Sequence, residues 1–81
     1  MNIEKVNIAI IGQGYVGLPL AIEFGAKYPT IGFDINVKRI EDLKNYIDHT
    51  NEATQEQLRN ANQLNFSSDL NDITNSNVYV V

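Results

Sequence analysis

Apolar residues fill positions 6–11, Val6-Asn7-Ile8-Ala9-Ile10-Ile11, with Asn7 as the one interruption. A run without alternation fits a parallel strand covered on both faces. After a glycine-rich stretch the period changes. Val16, Leu20, Ala21 and Phe24 fall on one stripe at helical spacing, which predicts a helix over 15–27. Pro19 lies in its first turn, where a missing N–H costs little. Tyr28-Pro29 ends it, because the residue before a proline is pushed out of the helical region. Thr30 to Asp34 predicts a second strand. Asn36 is a cap for a helix reaching about Tyr46, with Val37, Ile40, Leu43 and Ile47 as its buried stripe. Residues 48–53 read as irregular. Thr54-Gln55-Glu56-Gln57 matches a capping box and opens a helix to about Asn62. Leu64 to Ser67 predicts a third strand, residues 69–73 one helical turn, and residues 77–81 a fourth strand.

Strands that alternate with helices imply an α/β fold, a doubly wound parallel sheet. Right-handed crossovers then give the strand order 3-2-1-4. Eighty-one residues allow one small domain at most. A chain of this size buries only roughly 60% of its unfolded surface, so its stability margin is expected to be thin. The chain stops inside the apolar run Val78-Tyr79-Val80-Val81. Residues 1–81 are therefore expected to be a partial domain, truncated after its fourth strand, at the N-terminus of a longer protein.

Charge and composition narrow the partners. The net charge is −4 and the six Lys and Arg residues are scattered, which argues against nucleic acid. An anionic ligand stays open, since backbone N–H groups and a helix dipole hold phosphate without a cation. Neither disulfides nor a thiolate metal site can form without cysteine. No apolar run approaches the roughly 20 residues that span a bilayer. Met1-Asn2-Ile3-Glu4-Lys5 lacks the features of a secretion signal, so a cytoplasmic location is the default expectation. Glu52, Glu56 and Asp69 read as surface charge, and the sole histidine, His49, as a solvated or loop-ordering residue.

The chemistry lies between the first two strands. The first ends in Gly12-Gln13-Gly14-Tyr15-Val16-Gly17, and Asp34 follows the second, twenty-two residues after Gly12. Strand, glycine turn, helix, strand and acid form the layout of a Rossmann-like dinucleotide site. Gly12 permits the tight turn, Gly14 lets a pyrophosphate approach the backbone, and Gly17 lets the helix pack on the strand. The first-turn N–H groups around Tyr15 and Val16 point at the ligand, with the positive end of the helix dipole behind them. Asp34 accepts from the ribose hydroxyls and repels a 2′-phosphate, which favours NAD over NADP. Lys38 and Arg39 work against that preference, because a nearby arginine can accommodate the extra phosphate. The competing reading, glycines used for packing alone, leaves Gly14 unexplained.

Gly12-Gln13-Gly14-Tyr15-Val16-Gly17-Leu18-Pro19-Leu20-Ala21, with Gly32-Phe33-Asp34-Ile35-Asn36 and Arg39-Ile40, resembles the UDP-glucose/UDP-mannuronate dehydrogenase family. Asp48-His49-Thr50 and Asn77-Val78-Tyr79-Val80-Val81 look most like the branch acting on UDP-N-acetylhexosamines, including the Vi-polysaccharide type of enzyme. The resemblance implies a homo-oligomeric parent enzyme that oxidises C6 of a UDP-sugar twice, from alcohol to carboxylate, using two NAD, for capsule or O-antigen synthesis. It implies a cysteine nucleophile with assisting lysine, asparagine, aspartate and glutamate, none at a position present here. The catalytic set is thus expected outside this chain, which alone is inactive. What transfers is the cofactor site: Gly12, Gln13, Gly14, Tyr15, Val16 and Gly17 on the pyrophosphate, Asp34 with Ile35 and Asn36 at the ribose, and Arg39 near the adenosine end. Gln13, often apolar in relatives, is expected to alter little. An NAD-sensing module without catalysis and another NAD-dependent hydroxyacid dehydrogenase remain as alternatives.

Overall fold

Ile8, Ala9 and Ile10 are all buried, as a strand covered on both faces requires, and they place β1 (Ile8–Ile11) inside the sheet. The computed structural model describes residues 6–81. β2 (Thr30–Phe33) and β4 (Val78–Val80) flank β1, and β3 (Leu64–Ser67) lies outside β2. All pairings are parallel and the order is β3-β2-β1-β4, as expected. Ile8 pairs with Thr30 on one side and Val78 on the other.

Side chains alternate across the sheet. Ile8 and Ile10 point to one face and meet Ala21, with Phe24, Tyr28, Leu64, Val78 and Val80 around them. Ala9 points to the other face and meets Phe33 and Ile73. Ile73 belongs to a short 3-10 turn, Leu70–Ile73, in the segment expected to form one helical turn. A third cluster takes one leucine from each helix: Leu18 of α1 (Gly17–Gly25), Leu43 of α2 (Val37–Lys44) and Leu58 of α3 (Gln55–Asn60).

Two caps are the expected ones. Asn36 accepts from the Arg39 N–H at 3.1 Å. Thr54 and Gln57 exchange both bonds of a capping box, at 3.1 and 2.9 Å. Element ends differ from expectation. β1 begins at Ile8 rather than Val6, and β4 covers Val78–Val80 rather than 77–81. α1 begins at Gly17 rather than Tyr15, since Pro19 has no N–H to offer the Tyr15 carbonyl. α2 stops at Lys44, two residues before Tyr46, which takes a left-handed φ of 62°. α3 stops at Asn60 rather than Asn62.

The buried faces of two helices also differ. In α1 the buried residues are Leu18, Ala21 and Gly25, while Val16 is 74% exposed. Gly17, Ala21 and Gly25, four residues apart, form a ridge of small residues against the sheet. A Cβ on Gly25 would fall 2.5 Å from Leu64 Cβ, and one on Gly17 1.7 Å from the Gly12 carbonyl oxygen. Close approach, rather than apolar bulk, selects this face. In α2 Ile40 and Leu43 are buried as expected, but Val37 and Ile47 are exposed.

Candidate functional site

The Gly12 N–H donates to the Phe33 carbonyl at 2.7 Å, and the chain then leaves β1 with a Gly12 φ of 91°, a conformation that favours glycine. Gly17 comes so close beneath the Gly12 carbonyl that no side chain fits there. Gly14 is different. A Cβ built on it would meet nothing within 4 Å, so the protein's own packing does not demand glycine at this position. The space beside Gly14 is open to solvent at the tip of α1. Leu18 N–H closes the first turn onto the Gly14 carbonyl at 3.2 Å. The N–H groups of Gly14, Tyr15 and Val16 have no backbone partner among the described residues. The tip of α1 has no side-chain cap and no acidic residue in its first turn. Unpaired donors, a helix dipole and room for a close approach suit a diphosphate.

Asp34 reaches this turn from the end of β2. Its Oδ2 accepts from the Gln13 N–H and its Oδ1 from the Asn36 N–H, each at 2.9 Å. Each carboxylate oxygen retains capacity for a further donor such as a ribose hydroxyl. Ile35 is 83% exposed and, with exposed Tyr15, Val16 and Val37, adds apolar surface near the turn. Nine of the ten expected cofactor residues thus fall along the turn and the β2–α2 connection, and the tenth, Arg39, lies in the first turn of α2. Two grooves, about 450 Å³ beside α2, α3 and β3 and about 430 Å³ along α1 and Tyr28, do not include the turn.

Gln13 and Arg39 do more than their positions announce. Gln13 is expected to alter little at the cofactor because the backbone binds there; its side chain is wholly buried and has a structural task instead. Its Nε2 donates to the carbonyls of Ile10 and Gly12 at 2.9 and 3.1 Å, fastening the turn to β1 from below. Its Oε1 has no hydrogen-bond partner among the described residues. Gly32 makes the room, since a Cβ there would meet Gln13 Oε1 at 2.6 Å and the Phe66 ring at 2.9 Å. Arg39 turns inward. Its Nε donates to the Gln13 carbonyl at 2.8 Å, its Nη1 to Asp48 Oδ1 at 2.7 Å and its Nη2 to Thr50 Oγ1 at 3.4 Å.

Asp48 is the residue that sequence reasoning missed. Burial pushes its carboxyl up, but hydrogen bonds from the Thr50 hydroxyl, the Arg39 guanidinium and the backbone N–H groups of Thr50 and Ala53 outweigh that and hold it well below the usual carboxylate range. Asp48 and Thr50 stand out in the sequence only through resemblance, and nothing in their spacing announces a partner on α2. His49 lies outside this network: it is exposed, with Nε2 3.2 Å from Asp42 Oδ2, in keeping with a loop-ordering role.

A parallel sheet whose inner strand runs through a glycine turn into an uncapped helix, with an acid from the next strand at the turn, defines a dinucleotide-binding domain of the Rossmann type. The chain belongs to the UDP-glucose/GDP-mannose dehydrogenase family, whose NAD-binding domain model matches residues 6–81. NAD is therefore its cofactor. It is 52% identical over 80 residues to a UDP-N-acetyl-D-glucosamine 6-dehydrogenase of Salmonella typhi, covering 99% of this chain and 19% of that protein. It is 47% identical over 75 residues to protein CapL of Staphylococcus aureus, covering 93% of this chain and 18% of that protein. Among solved structures, a UDP-D-ManNAc dehydrogenase from Pyrococcus horikoshii superposes with a TM-score of 0.84 at 30% identity, over 91% of this chain and 19% of the other. The chain spans about a fifth of the length of the curated relatives it matches. No helix among the described residues is long and apolar enough to cross a membrane.

Proposed function

We propose that this chain is the NAD-binding part of a nucleotide-sugar 6-dehydrogenase, which oxidises a UDP-N-acetylhexosamine to its uronate for a bacterial surface polysaccharide such as a capsule or Vi-type polymer. The observation that carries the cofactor half is Gly14, a glycine that packing does not require at the tip of an uncapped helix. The substrate half rests on the likeness to a named UDP-N-acetyl-D-glucosamine 6-dehydrogenase. In this reading NAD supplies the hydride acceptor. The chain's own residues bind and orient it: the N–H groups of Gly14, Tyr15 and Val16 in the Gly12–Gly17 turn hold the pyrophosphate, and Asp34, with Ile35 and Asn36 beside it, receives the ribose. The 81 residues contain no cysteine to act as the nucleophile, so the groups that handle the sugar belong to other parts of the enzyme. A cytoplasmic, homo-oligomeric enzyme completes the proposal.

Calorimetric titration of the chain with NAD and NADP tests the cofactor site. NAD is expected to bind more tightly, because a 2′-phosphate beside Asp34 meets a like charge at a cost of about 1–4 kcal/mol. In Asp34→Ala that preference should fall by about tenfold; an unchanged ratio removes Asp34 from the ribose. For the enzyme containing this chain, two NADH per UDP-N-acetylhexosamine are expected. Failure to oxidise any such sugar would sink the substrate half alone.

A further inference from the structure

We propose that Asp48 is a positioning residue of the dinucleotide site and favours NAD by holding Arg39 away from the ribose 2′ position. The inference rests on the cofactor reading above and adds a residue from outside the glycine turn. Asp48 has a fully buried side chain, in the loop after α2. Its carboxylate accepts five hydrogen bonds: Oδ1 from Arg39 Nη1, Thr50 N and Thr50 Oγ1, and Oδ2 from the N–H groups of Glu52 and Ala53. Four of these order the loop. The fifth leads out of it, because the same guanidinium reaches the Gln13 carbonyl through Nε. The Gln13 N–H in turn donates to Asp34 Oδ2. Asp48, Arg39, Gln13 and Asp34 thus form one continuous series, with contacts of 2.7, 2.8 and 2.9 Å.

Two consequences follow for the coenzyme. The series fixes the Gln13 peptide, which lies between the first two glycines of the turn. It also gives every nitrogen of Arg39 an acceptor within the protein. An arginine beside the acidic ribose residue is the usual means of accepting a 2′-phosphate. Here its fork and its charge are committed to Asp48, so Asp34 acts on the ribose without a cation to offset it. Loss of the Asp48 charge would free the Nη groups while leaving the Nε contact to Gln13.

The test is calorimetric titration with NAD and with NADP, using the wild-type chain, Asp48→Asn, Thr50→Val and Glu52→Gln, with circular dichroism melts to confirm folding. The NADP-to-NAD affinity ratio should rise by about tenfold in Asp48→Asn, the scale of one charge-assisted contact. It should rise less in Thr50→Val and stay at the wild-type value in Glu52→Gln, which removes an exposed charge from the same loop. A purely structural role would lower the melting temperature without moving the ratio, and that result in folded Asp48→Asn overturns the proposal. Should Asp48→Asn not fold, Thr50→Val decides in the same way. An equal rise in Glu52→Gln would assign the effect to general charge and overturn it too. A wild-type chain that binds neither coenzyme sinks the cofactor reading, and this inference with it. A wild-type preference for NAD with unchanged variants sinks this inference alone.

Discussion

Gly12, Gly14 and Gly17 look alike in the sequence, yet each answers a different demand. Gly12 serves the backbone, through its φ of 91°. Gly17 serves packing, through a contact that leaves no room for a methyl group. Gly14 serves neither, which points to a ligand. The two latter glycines are separable by experiment. Gly14→Val is expected to abolish NAD binding in calorimetry while the melting temperature stays near wild type, because its side chain enters open space. Gly17→Ala is expected to lose stability in urea titration, toward the upper end of the about 1–3 kcal/mol typical of overpacking. The reverse outcome would mean the ligand has been assigned to the wrong glycine. At this scale the glycines and Asp34 were legible because their spacing is local and their chemistry is carried by the main chain. Gln13 was not, because the direction of its side chain is set by room at Gly32 and Phe66, which come near only when the strands pair.

Among the elements, the capped starts were read correctly, since a cap is written into three or four consecutive residues: Asn36 for α2, and Thr54 with Gln57 for α3. The apolar stripe of α1 marks its buried face only in part: Ala21 is buried and Phe24 packs on the core, but Val16 is exposed, and close approach to the sheet brings in Gly17 and Gly25. The loop after α2 carries no regular pattern in the sequence. It is irregular in backbone, but it is organised around the Asp48 carboxylate. That organisation carries a pH dependence. The Asp48 carboxyl is more acidic in the folded chain than in the unfolded one, so the unfolded chain takes up the proton first as pH falls. The contribution is complete above the unfolded value of about 3.9 and is lost progressively below it. Urea titrations from pH 6 down to pH 3 are expected to show a smaller loss of stability in Asp48→Asn than in wild type. Parallel curves would show that Asp48 does not contribute.

For the molecule as a whole, small size makes the ligand part of the stability. Few residues form the core, and among the described residues the sheet face around Ala9, Phe33 and Ile73 is covered by one 3-10 turn. A coenzyme that binds only the folded state at a hundred times its Kd adds about 2.7 kcal/mol. In a domain of this length that amounts to a rise in Tm of about 10 °C or more. Thermal unfolding with saturating NAD is expected to show this rise in the wild type and none in Gly14→Val. A rise of equal size in both would place the bound coenzyme elsewhere. The small-residue ridge of α1 extends the same linkage along the helix. Gly17 and Gly25 stand roughly 12 Å apart on a stiff rod. Adding a methyl at Gly25 would force it off Leu64 and swing the opposite end like a lever, shifting the unpaired N–H groups of the glycine turn. Gly25→Ala should therefore weaken NAD in calorimetry from the far end of the helix, so that the tightness of a helix's heel governs the grip of its toe.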